Sequence, residues 1–132
     1  MTQVDVHLGD RSYPIHIAAG ALPTLRSVLD GLGARGAVAV VTDSNVAPLY
    51  GAAVDTLLGE AGLWPHICVL PAGEENKRLA QIEWLCGEFL KAGLDRSSIV
   101  VALGGGVVGD VAGFAAAVYM RGIRFVQVPT TV

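Results

Sequence analysis

Apolar and polar positions along the chain predict a hairpin followed by alternating helices and strands. Residues 4–8 and 13–17 alternate apolar with polar side chains around Gly9-Asp10, as expected of a β-hairpin with one face in water. Four later runs are mainly apolar, and each follows a segment whose apolar residues recur at helical spacing. The four runs are 37–41, 64–70, 99–103 and 125–128, and the helical segments are 21–32, 46–61 with a break near Gly51, 78–92 and 111–120.

Continuous apolar runs of this kind are typical of parallel strands that are covered on both faces. Their alternation with helices predicts an α/β domain with a Rossmann-like, mainly parallel sheet, helices on both faces and an N-terminal β-hairpin. The 132 residues, of which 52% are hydrophobic, suit a single domain over residues 1–132. A strand ends near residue 128, and a helix is expected after Thr130 and Thr131. We therefore expect the chain to be the front part of a longer protein.

The segment from Leu103 to Asp110 gives the strongest indication of a ligand. Three consecutive glycines follow a predicted strand and precede a predicted helix. They let the backbone approach a ligand closely, and the positive end of the helix dipole suits a phosphate. Gly104, Gly106 and Gly109 fit the G-x-G-x-x-G dinucleotide pattern, but the acidic residue expected about 20 positions later is missing. We predict a phosphate-binding turn outside the ordinary Rossmann position; a ligand-free turn with close helix–sheet packing is the alternative.

Two other predicted strands also end in polar residues. Those after the first apolar run are Asp43 and Asn45, and those after the second are Glu74 and Lys77, in a loop with Gly73. Ligands bind beside the carboxyl ends of strands in α/β sheets, so both sets are candidate contacts, the second for a ribose and a phosphate. Helix capping, with Lys77 simply exposed to solvent, is the alternative.

Composition and charge exclude several classes of function. The formal net charge is −3 and the nine Lys and Arg residues are scattered, which argues against a nucleic-acid surface. The N-terminus lacks the basic and apolar regions of a signal peptide. The weakly charged stretch 98–120 contains three adjacent glycines and an aspartate, unlike a membrane span. We expect a cytoplasmic protein without nucleic-acid or membrane partners, in which Cys68 and Cys86 are reduced thiols.

The histidines give no indication of a metal. His7 and His16 fall in the polar phase of the hairpin strands and are expected to face solvent. Neither they nor His66 has an acidic residue at a metal-binding spacing. We therefore assign no metal ligand to this chain.

Five short motifs follow one another along the chain with natural spacing. They are Asp43-x-Asn45, Pro71-x-Gly-Glu74-x-x-Lys77, Gly104-Gly-Gly-Val-Val-Gly-Asp110, Tyr119-Met-Arg-Gly122 and Val128-Pro-Thr-Thr131. Together they resemble the 3-dehydroquinate synthase family. The glycine motif combined with the last two motifs is the most specific part of the match. The resemblance covers only the amino-terminal, NAD-binding domain of that family.

The resemblance implies a lyase of the shikimate pathway, which leads to chorismate and the aromatic amino acids. The family converts 3-deoxy-D-arabino-heptulosonate 7-phosphate to 3-dehydroquinate and phosphate. Bound NAD oxidises a ring hydroxyl, phosphate is eliminated, the ketone is reduced again, and the ring opens and closes by an aldol step. By motif position, the implied contacts are Asp43, Asn45, Gly73, Glu74 and Lys77 for the adenosine half of NAD, Gly105, Gly106 and Val107 for the pyrophosphate, Asp110, Thr130 and Thr131 for ribose or nicotinamide, and Arg121 for the substrate phosphate.

The resemblance also implies a divalent metal, zinc or cobalt, that holds the substrate hydroxyls. Its ligands in the family are a glutamate and two histidines in a helical carboxyl-terminal domain, which this chain lacks together with the substrate-binding lysines. The chain would therefore supply the NAD site, contain no catalytic residue and be inactive alone. Its partners would be the small-molecule sugar phosphate and a second copy in a homodimer.

Three other functions fit parts of the pattern. Another sugar-phosphate cyclase would share this domain, because the residues that decide the substrate lie mostly beyond Val132. A metal-dependent polyol dehydrogenase has a similar front domain, but the motifs that begin at Tyr119 and Val128 argue against it. The chain is also compatible with a non-catalytic nucleotide-binding or dimerisation module.

Overall fold

A computed structural model of the chain describes the backbone of residues 2–8, 11–17, 22–73 and 78–130 and the side chains of residues 24–73 and 78–130. Its helices and strands are β1 (Thr2–Leu8), β2 (Arg11–Ile17), α1 (Leu22–Gly31), β3 (Ala37–Asp43), α2 (Ala52–Glu60), β4 (Trp64–Leu70), α3 (Leu79–Ala92), β5 (Ile99–Gly104), α4 (Gly106–Val118) and β6 (Arg124–Pro129). A π-helical turn over Ala47–Gly51 precedes α2, and a 3₁₀ turn over Tyr119–Arg121 follows α4. The geometry changes from π to α after Gly51, but Gly51 and Ala52 both keep helical backbone angles, so the helix is not broken at the predicted position.

The described strands form one sheet in the order β2-β1-β6-β5-β3-β4. β4, β3, β5 and β6 run parallel, whereas β1 pairs antiparallel with both β6 and β2. The predicted α/β class, the mainly parallel sheet and the N-terminal hairpin are confirmed. Along the chain, the parallel strands progress outward from β3 to β4 and then outward on the other side from β5 to β6. The direction therefore reverses between β3 and β5, which is where open α/β sheets bind ligands.

The parallel strands are covered by helices on both faces. Alternate residues of β3 point to opposite sides, so that Val38 and Val40 pack with α1 and α2, while Ala39 and Val41 pack with α3 and α4. β5 is buried along its whole length. The fully buried side chains of the helices include Leu25, Leu29 and Leu58 on the first face and Leu85 and Phe89 on the second. Burial from two sides fixes β5 in place beneath the glycine turn that follows it.

Helix α4 begins at Gly106, well before the predicted start at residue 111. The sequence predicted a turn through the whole glycine segment. In the structure, only Gly105 lies between the end of β5 at Gly104 and the start of α4, and it is the N-cap of that helix. Val108 and Val111 are buried in the first turns of α4. A glycine lowers helix stability by about 1 kcal/mol relative to alanine, whereas burial of one valine side chain contributes about 1.5–3 kcal/mol. Packing of the valines against the sheet therefore outweighs the weak helix propensity of the glycines, and the predicted boundary was wrong.

Strand β4 is less buried than its apolar sequence predicts. It lies at the edge of the described sheet, and its Trp64 is 74% exposed and its Val69 44% exposed. In α3, Leu85 and Phe89 are buried, but Leu79 is 79% exposed. Leu79 lies in the first turn of α3 and lines an open groove, which explains why it is not covered.

The N-terminal hairpin adds β1 and β2 to the parallel sheet beside β6. β1 and β2 pair in register from Thr2 with Ile17 to Leu8 with Arg11. The turn of the hairpin and the side chains of His7 and His16 lie outside the described residues, so the exposure of both histidines stays a prediction. No helix in the described part of the chain is both long enough and apolar enough to cross a bilayer.

Candidate functional site

The carboxyl ends of β3, β5 and β6 lie at one edge of the sheet, beside the point where the strand order reverses. β3 ends at Asp43, β5 at Gly104 and β6 at Pro129. The amide of Thr130 donates to the Gly104 carbonyl oxygen at 3.0 Å and thereby ties the end of β6 to the glycine turn. We call this side of the molecule the carboxyl edge. It brings together the candidate residues that follow β3, β5 and β6.

Two glycines of this segment, Gly104 at the end of β5 and Gly109 in α4, lie in close contact with neighbouring side chains. A Cβ on Gly104 would lie 2.9 Å from Cγ2 and 3.0 Å from Cβ of Val108. A Cβ on Gly109 would collide with the side-chain amide of Gln127 and lie 3.0 Å from its Cδ. Both contacts are shorter than a normal van der Waals separation between carbon atoms. These two glycines let α4 pack closely on β5 and β6, as the close-packing alternative predicted.

Gly105 and Gly106 have no such internal reason to be glycine. Both are exposed, and a Cβ on either would meet no other atom within 4 Å among the described residues. Gly105 is the N-cap of α4 and provides no side-chain cap, so the first amide groups of the helix face outward. We call Gly105–Val107 the glycine cradle. Its open space and its helix N-terminus together suit an anion such as a phosphate.

The Asp43 side chain, at the end of β3, holds the loop that follows, whereas the helical turn over Ala47–Gly51 has no side-chain cap. The Asp43 carboxylate oxygen Oδ1 accepts the amides of Asn45 at 2.9 Å and Val46 at 2.8 Å. The Ser44 amide donates to the Leu70 carbonyl oxygen, which holds the loop after β3 against the end of β4. These hydrogen bonds do not remove Asp43 as a ligand contact, because the described contacts use only one of its two carboxylate oxygens. Asn45 is exposed at the same edge.

Two threonine hydroxyls near the carboxyl edge are buried without a hydrogen-bond partner among the described residues. They belong to Thr42, whose side chain is fully buried at the end of β3, and to Thr130, beside the glycine turn. An unsatisfied buried hydroxyl costs about 1–3 kcal/mol. Thr130 is one of the predicted contacts, and a polar ligand group would give its hydroxyl a partner. Sequence reasoning placed Thr42 in the polar turn after residues 37–41 and gave it no role, whereas the structure buries it within β3.

The structure describes only some of the other predicted contacts. Glu74, Lys77 and Thr131 lie outside the described residues, so their roles stay predictions. Gly73 precedes the undescribed loop and has a φ of 128°, which favours glycine. Asp110 is exposed in the second turn of α4 and lines a groove of about 230 Å³ between α3 and α4.

Arg121 lies at the opposite edge of the sheet from the glycine cradle. It precedes β6, whose first residue, Arg124, pairs with Ile99 at the start of β5. The cradle follows the other end of β5, about 16 Å away for a strand that rises 3.3 Å per residue. The structure therefore does not bring Arg121 together with the predicted cofactor contacts.

The turn that carries Arg121 has a backbone conformation that is costly for these residue types. Met120 and Arg121 have φ angles of 47° and 67°, which non-glycine residues adopt rarely. Arg121 lines a cavity of about 590 Å³ together with Arg96 and Arg124. Arg124 donates hydrogen bonds to the carbonyl oxygens of Leu32 and Ser97. Arg96 and Arg121 thus share this cavity with Arg124, whose guanidinium group is already hydrogen-bonded to backbone carbonyl oxygens.

A second group of reactive side chains lies between β4 and α3. His66 Nε2 is 3.2 Å from Glu88 Oε1, and the Cys68 sulfur lies within 4.8 Å of both of these atoms. Hydrogen bonds from His66 and Lys91 hold the pKa of Glu88 below its usual range, while burial and the Glu88 charge raise the pKa of Cys68 to about 12. The fold therefore gives His66 an acidic neighbour, while the prediction that this chain holds no metal ligand stays a prediction. Sequence spacing could not reveal this neighbour, because Glu88 reaches His66 only through the packing of α3 on β4.

Two comparisons with known sequences agree on one family. The family profile described as 3-dehydroquinate synthase N-terminal matches residues 67–132, which is half of the chain. The 3-dehydroquinate synthase of Acidithiobacillus ferrooxidans is 50% identical over 131 residues, which are 99% of this chain and 36% of that protein. The chain thus spans about a third of the length of the curated relatives that it matches.

Two solved structures share the fold. A crystal structure of 2-deoxy-scyllo-inosose synthase complexed with carbaglucose-6-phosphate, NAD⁺ and Co²⁺ is 28% identical with a TM-score of 0.81, and the match covers 98% of this chain and 35% of that one. The 2-epi-5-epi-valiolone synthase of Streptomyces hygroscopicus, with NAD⁺ and Zn²⁺ bound, is 27% identical with a TM-score of 0.72 and coverage of 89% and 32%. With the family profile matching half its length, the chain belongs to the 3-dehydroquinate synthase family and represents its N-terminal part.

Proposed function

We propose that this chain is the NAD-binding part of a 3-dehydroquinate synthase. The complete enzyme would convert 3-deoxy-D-arabino-heptulosonate 7-phosphate to 3-dehydroquinate and phosphate. Family membership and the 50% identity to a relative of that name support the reaction. NAD⁺ in the two structures that share the fold supports the cofactor.

The observation that carries the proposal is the open glycine cradle at the point where the strand order reverses. Gly104 and Gly109 are glycine for internal packing, but nothing within the described residues requires glycine at positions 105 and 106. A side chain at either position would occupy the space in front of the exposed amide groups of α4. A dinucleotide pyrophosphate approaching those amides is a reason for keeping that space empty.

Each part of NAD then has candidate contacts in this chain. The amides of Gly105, Gly106 and Val107 would hold the pyrophosphate. The remaining contacts are Asp43, Asn45, Gly73, Glu74 and Lys77 for the adenosine half, and Asp110, Thr130 and Thr131 for the ribose or nicotinamide. When bound, NAD supplies a hydride acceptor that becomes the hydride donor for the later reduction. The contribution of this chain is to hold the cofactor throughout, and anchors after four parallel strands suit that task.

Two of the other cyclases share the fold but agree less well in sequence. The inosose and valiolone synthases are 28% and 27% identical, against 50% for the 3-dehydroquinate synthase of A. ferrooxidans. The difference favours the dehydroquinate reaction.

We further propose a cytoplasmic homodimer in which Arg121 contacts the substrate phosphate from the second copy. Arg121 is separated from the glycine cradle of its own chain by the length of β5, so a contact between subunits is the simplest way to bring the two together. Both cysteines are unpaired thiols, as expected in a reducing compartment. The zinc or cobalt of the complete enzyme would be held by residues outside this chain.

Lys77→Ala is expected to weaken NAD binding more than it weakens the fold. An exposed lysine contributes little to stability, whereas a lysine on a phosphate or ribose contributes a charge-assisted hydrogen bond. Calorimetric titration with NAD, compared with the change in melting temperature, measures the two effects separately. Lys91→Ala is the control, because Lys91 is an exposed lysine that lies on α3 and is not among the predicted contacts. Equal NAD affinity in Lys77→Ala and the parent chain would favour the alternative interpretation, in which this loop caps a helix and Lys77 does not contact the ligand.

The chain alone is expected to bind NAD weakly and to release no phosphate from the heptulosonate phosphate. A substrate with a phosphate and a carboxylate requires several converging cations beside the cofactor. The arginines that share one cavity, Arg96, Arg121 and Arg124, lie at the opposite edge of the sheet from the glycine cradle. Without a second domain, the nicotinamide end would also stay open to water. Binding should then rest on the adenosine and pyrophosphate contacts, so that ADP competes nearly as well as NAD.

The decisive assay replaces the matching 131 residues of the A. ferrooxidans enzyme with this chain. The chimera, supplied with NAD and zinc or cobalt, should release phosphate from the heptulosonate phosphate, whereas this chain purified alone should not exceed a protein-free control. A folded chimera that binds NAD but releases no phosphate would contradict the proposed reaction. Steady turnover by the chain alone would contradict the need for a second domain.

A further inference from the structure

The cluster of His66, Cys68 and Glu88 has the composition of a transition-metal site. His66 Nε2 and Glu88 Oε1 are 3.2 Å apart, and the Cys68 sulfur lies within 4.8 Å of both. The three residues come from two elements that pack on each other, β4 and α3. No role in the proposed NAD site uses any of them, because they lie two strands away from β5.

The local fold places the three side chains on the same side of the sheet. His66 and Cys68 are two positions apart on β4, so they point to the same face. That face is covered by α3, where Glu88 precedes the fully buried Phe89 and is therefore held close to the strand. Lys91, one helical turn further along, is 3.2 Å from the second carboxylate oxygen of Glu88.

We propose that His66, Cys68 and Glu88 form a binding site for a zinc-type divalent cation that fastens α3 to β4. Imidazole nitrogen, thiolate sulfur and carboxylate oxygen are the three donor types that bind Zn²⁺ in proteins. Mg²⁺ and Ca²⁺ take oxygen ligands almost exclusively, so a site with one sulfur and one nitrogen selects against them. The inference does not depend on the proposed NAD site.

The geometry requires little rearrangement. With bonds of about 2.0–2.3 Å and tetrahedral angles, two ligand atoms on one zinc are separated by about 3.3–3.6 Å. The 3.2 Å separation between His66 Nε2 and Glu88 Oε1 is about 0.1 Å below that range, and the Cys68 sulfur is at most about 1.5 Å too far from either atom. Lys91 holds Oε2 of Glu88, which leaves Oε1 as the metal ligand and fixes the carboxylate in a single orientation.

Charge and exposure also suit a bound divalent cation. One thiolate and one carboxylate would neutralise a charge of +2, while the imidazole binds as a neutral ligand. Cys68 is buried at the base of the cluster, Glu88 is 17% exposed and His66 is 38% exposed. An ion could therefore enter past His66 and complete its coordination with a water molecule on that side, as three-ligand zinc sites do. A simple surface ion pair between His66 and Glu88 would not need a buried cysteine beneath it.

Cobalt titration of the purified chain tests the site directly, because cobalt replaces zinc in N/S sites and a cobalt–thiolate bond has a strong charge-transfer absorption. We expect one equivalent of Co²⁺ per chain to produce this absorption and one equivalent of Zn²⁺ to remove it. Cys68→Ser should abolish the absorption, whereas Cys86→Ser should retain it. Cys86 is the matched control, because it lies nearby on α3 but has its sulfur directed to the Ala115 carbonyl oxygen at 4.0 Å.

His66→Gln and Glu88→Gln provide the second test, since neither side chain is fully buried and both variants should fold. Each should weaken Zn²⁺ binding at least about tenfold in a competition with a chromophoric chelator, because loss of a ligand should cost no less than loss of an outer-shell partner. Circular dichroism confirms the fold of every variant. Absence of thiolate absorption with the parent chain would overturn the proposal. Its persistence in Cys68→Ser, or unchanged Zn²⁺ affinity in His66→Gln and Glu88→Gln, would overturn it as well.

Discussion

Gly106→Val is expected to weaken NAD binding at least tenfold without unfolding the chain. A tenfold loss corresponds to about 1.4 kcal/mol. The fold should survive, because a Cβ at position 106 meets no other atom within 4 Å among the described residues. The ligand should be lost, because a branched side chain would stand in front of the amide groups of α4 that we assign to the pyrophosphate. Isothermal titration with NAD gives the affinity, and thermal unfolding gives the stability.

The matched control is Gly87→Val. Gly87 is another exposed glycine inside a helix, α3, and a Cβ there also meets nothing within 4 Å. Its substitution should leave NAD affinity unchanged, so that a general effect of valine on helices is separated from an effect on the ligand. Unchanged NAD affinity in a folded Gly106→Val chain would show that the glycine cradle does not hold the pyrophosphate.

Gly104→Ala, two residues earlier, is expected to destabilise the fold by about 1–3 kcal/mol, the usual cost of overpacking a core. The added Cβ would lie 2.9 Å from Cγ2 and 3.0 Å from Cβ of Val108. Val108 cannot turn away easily, because it is β-branched, buried and part of α4. The new methyl group must therefore displace the first turn of α4 from β5. Urea unfolding, with the free energy extrapolated to water, measures the loss.

Gly87→Ala again serves as the control, with the opposite sign. The added methyl group has free space, and alanine in a helix interior is favoured over glycine by about 0.5–1 kcal/mol. The two glycine-to-alanine changes should thus differ in sign although the chemical change is the same. A Gly104→Ala chain as stable as the parent would show that α4 is not packed on β5 as closely as the structure describes.

The strands of the parallel sheet could be predicted from the sequence because their apolar runs are short and continuous. β4 was predicted at the observed residues 64–70, and β3, β5 and β6 differ from their predictions by one or two residues at their ends. Such runs have few alternatives, since they are too short for a helix core and are bounded by glycine, proline and polar residues. The order of the strands could not be read from the pattern, because it depends on which helix crosses which face.

The start of α4 could not be predicted from local propensity. Glycines at positions 104 to 106 and 109 argue against a helix, but burial of Val108 and Val111 against the sheet determines where the helix begins. The exposed Trp64 shows the converse. Its apolar side chain predicts burial, but its place in an edge strand leaves it largely in solvent.

The candidate site was predictable only as far as it follows strand ends. Asp43, the glycine cradle and Thr130 reach the same edge because parallel strands place all their carboxyl ends there. The cluster that contains His66 was not predictable, since its Glu88 comes from a helix packed across the strand. The sequence also could not show which glycines serve packing and which leave space for a ligand. Only their surroundings show that Gly104 is required for packing and that Gly106 leaves space for a ligand.

The most direct test of the central claim is a titration of the ¹⁵N-labelled chain with NAD, followed by amide chemical shifts. We expect the largest shifts at Gly105, Gly106, Val107 and Thr130, at the carboxyl edge, and no change at the amide of Gly87 on α3, which belongs to none of the predicted contacts. Shifts concentrated around Arg121 and Arg124, with the glycine cradle unaffected, would contradict the assignment of the cradle as part of the NAD-binding site.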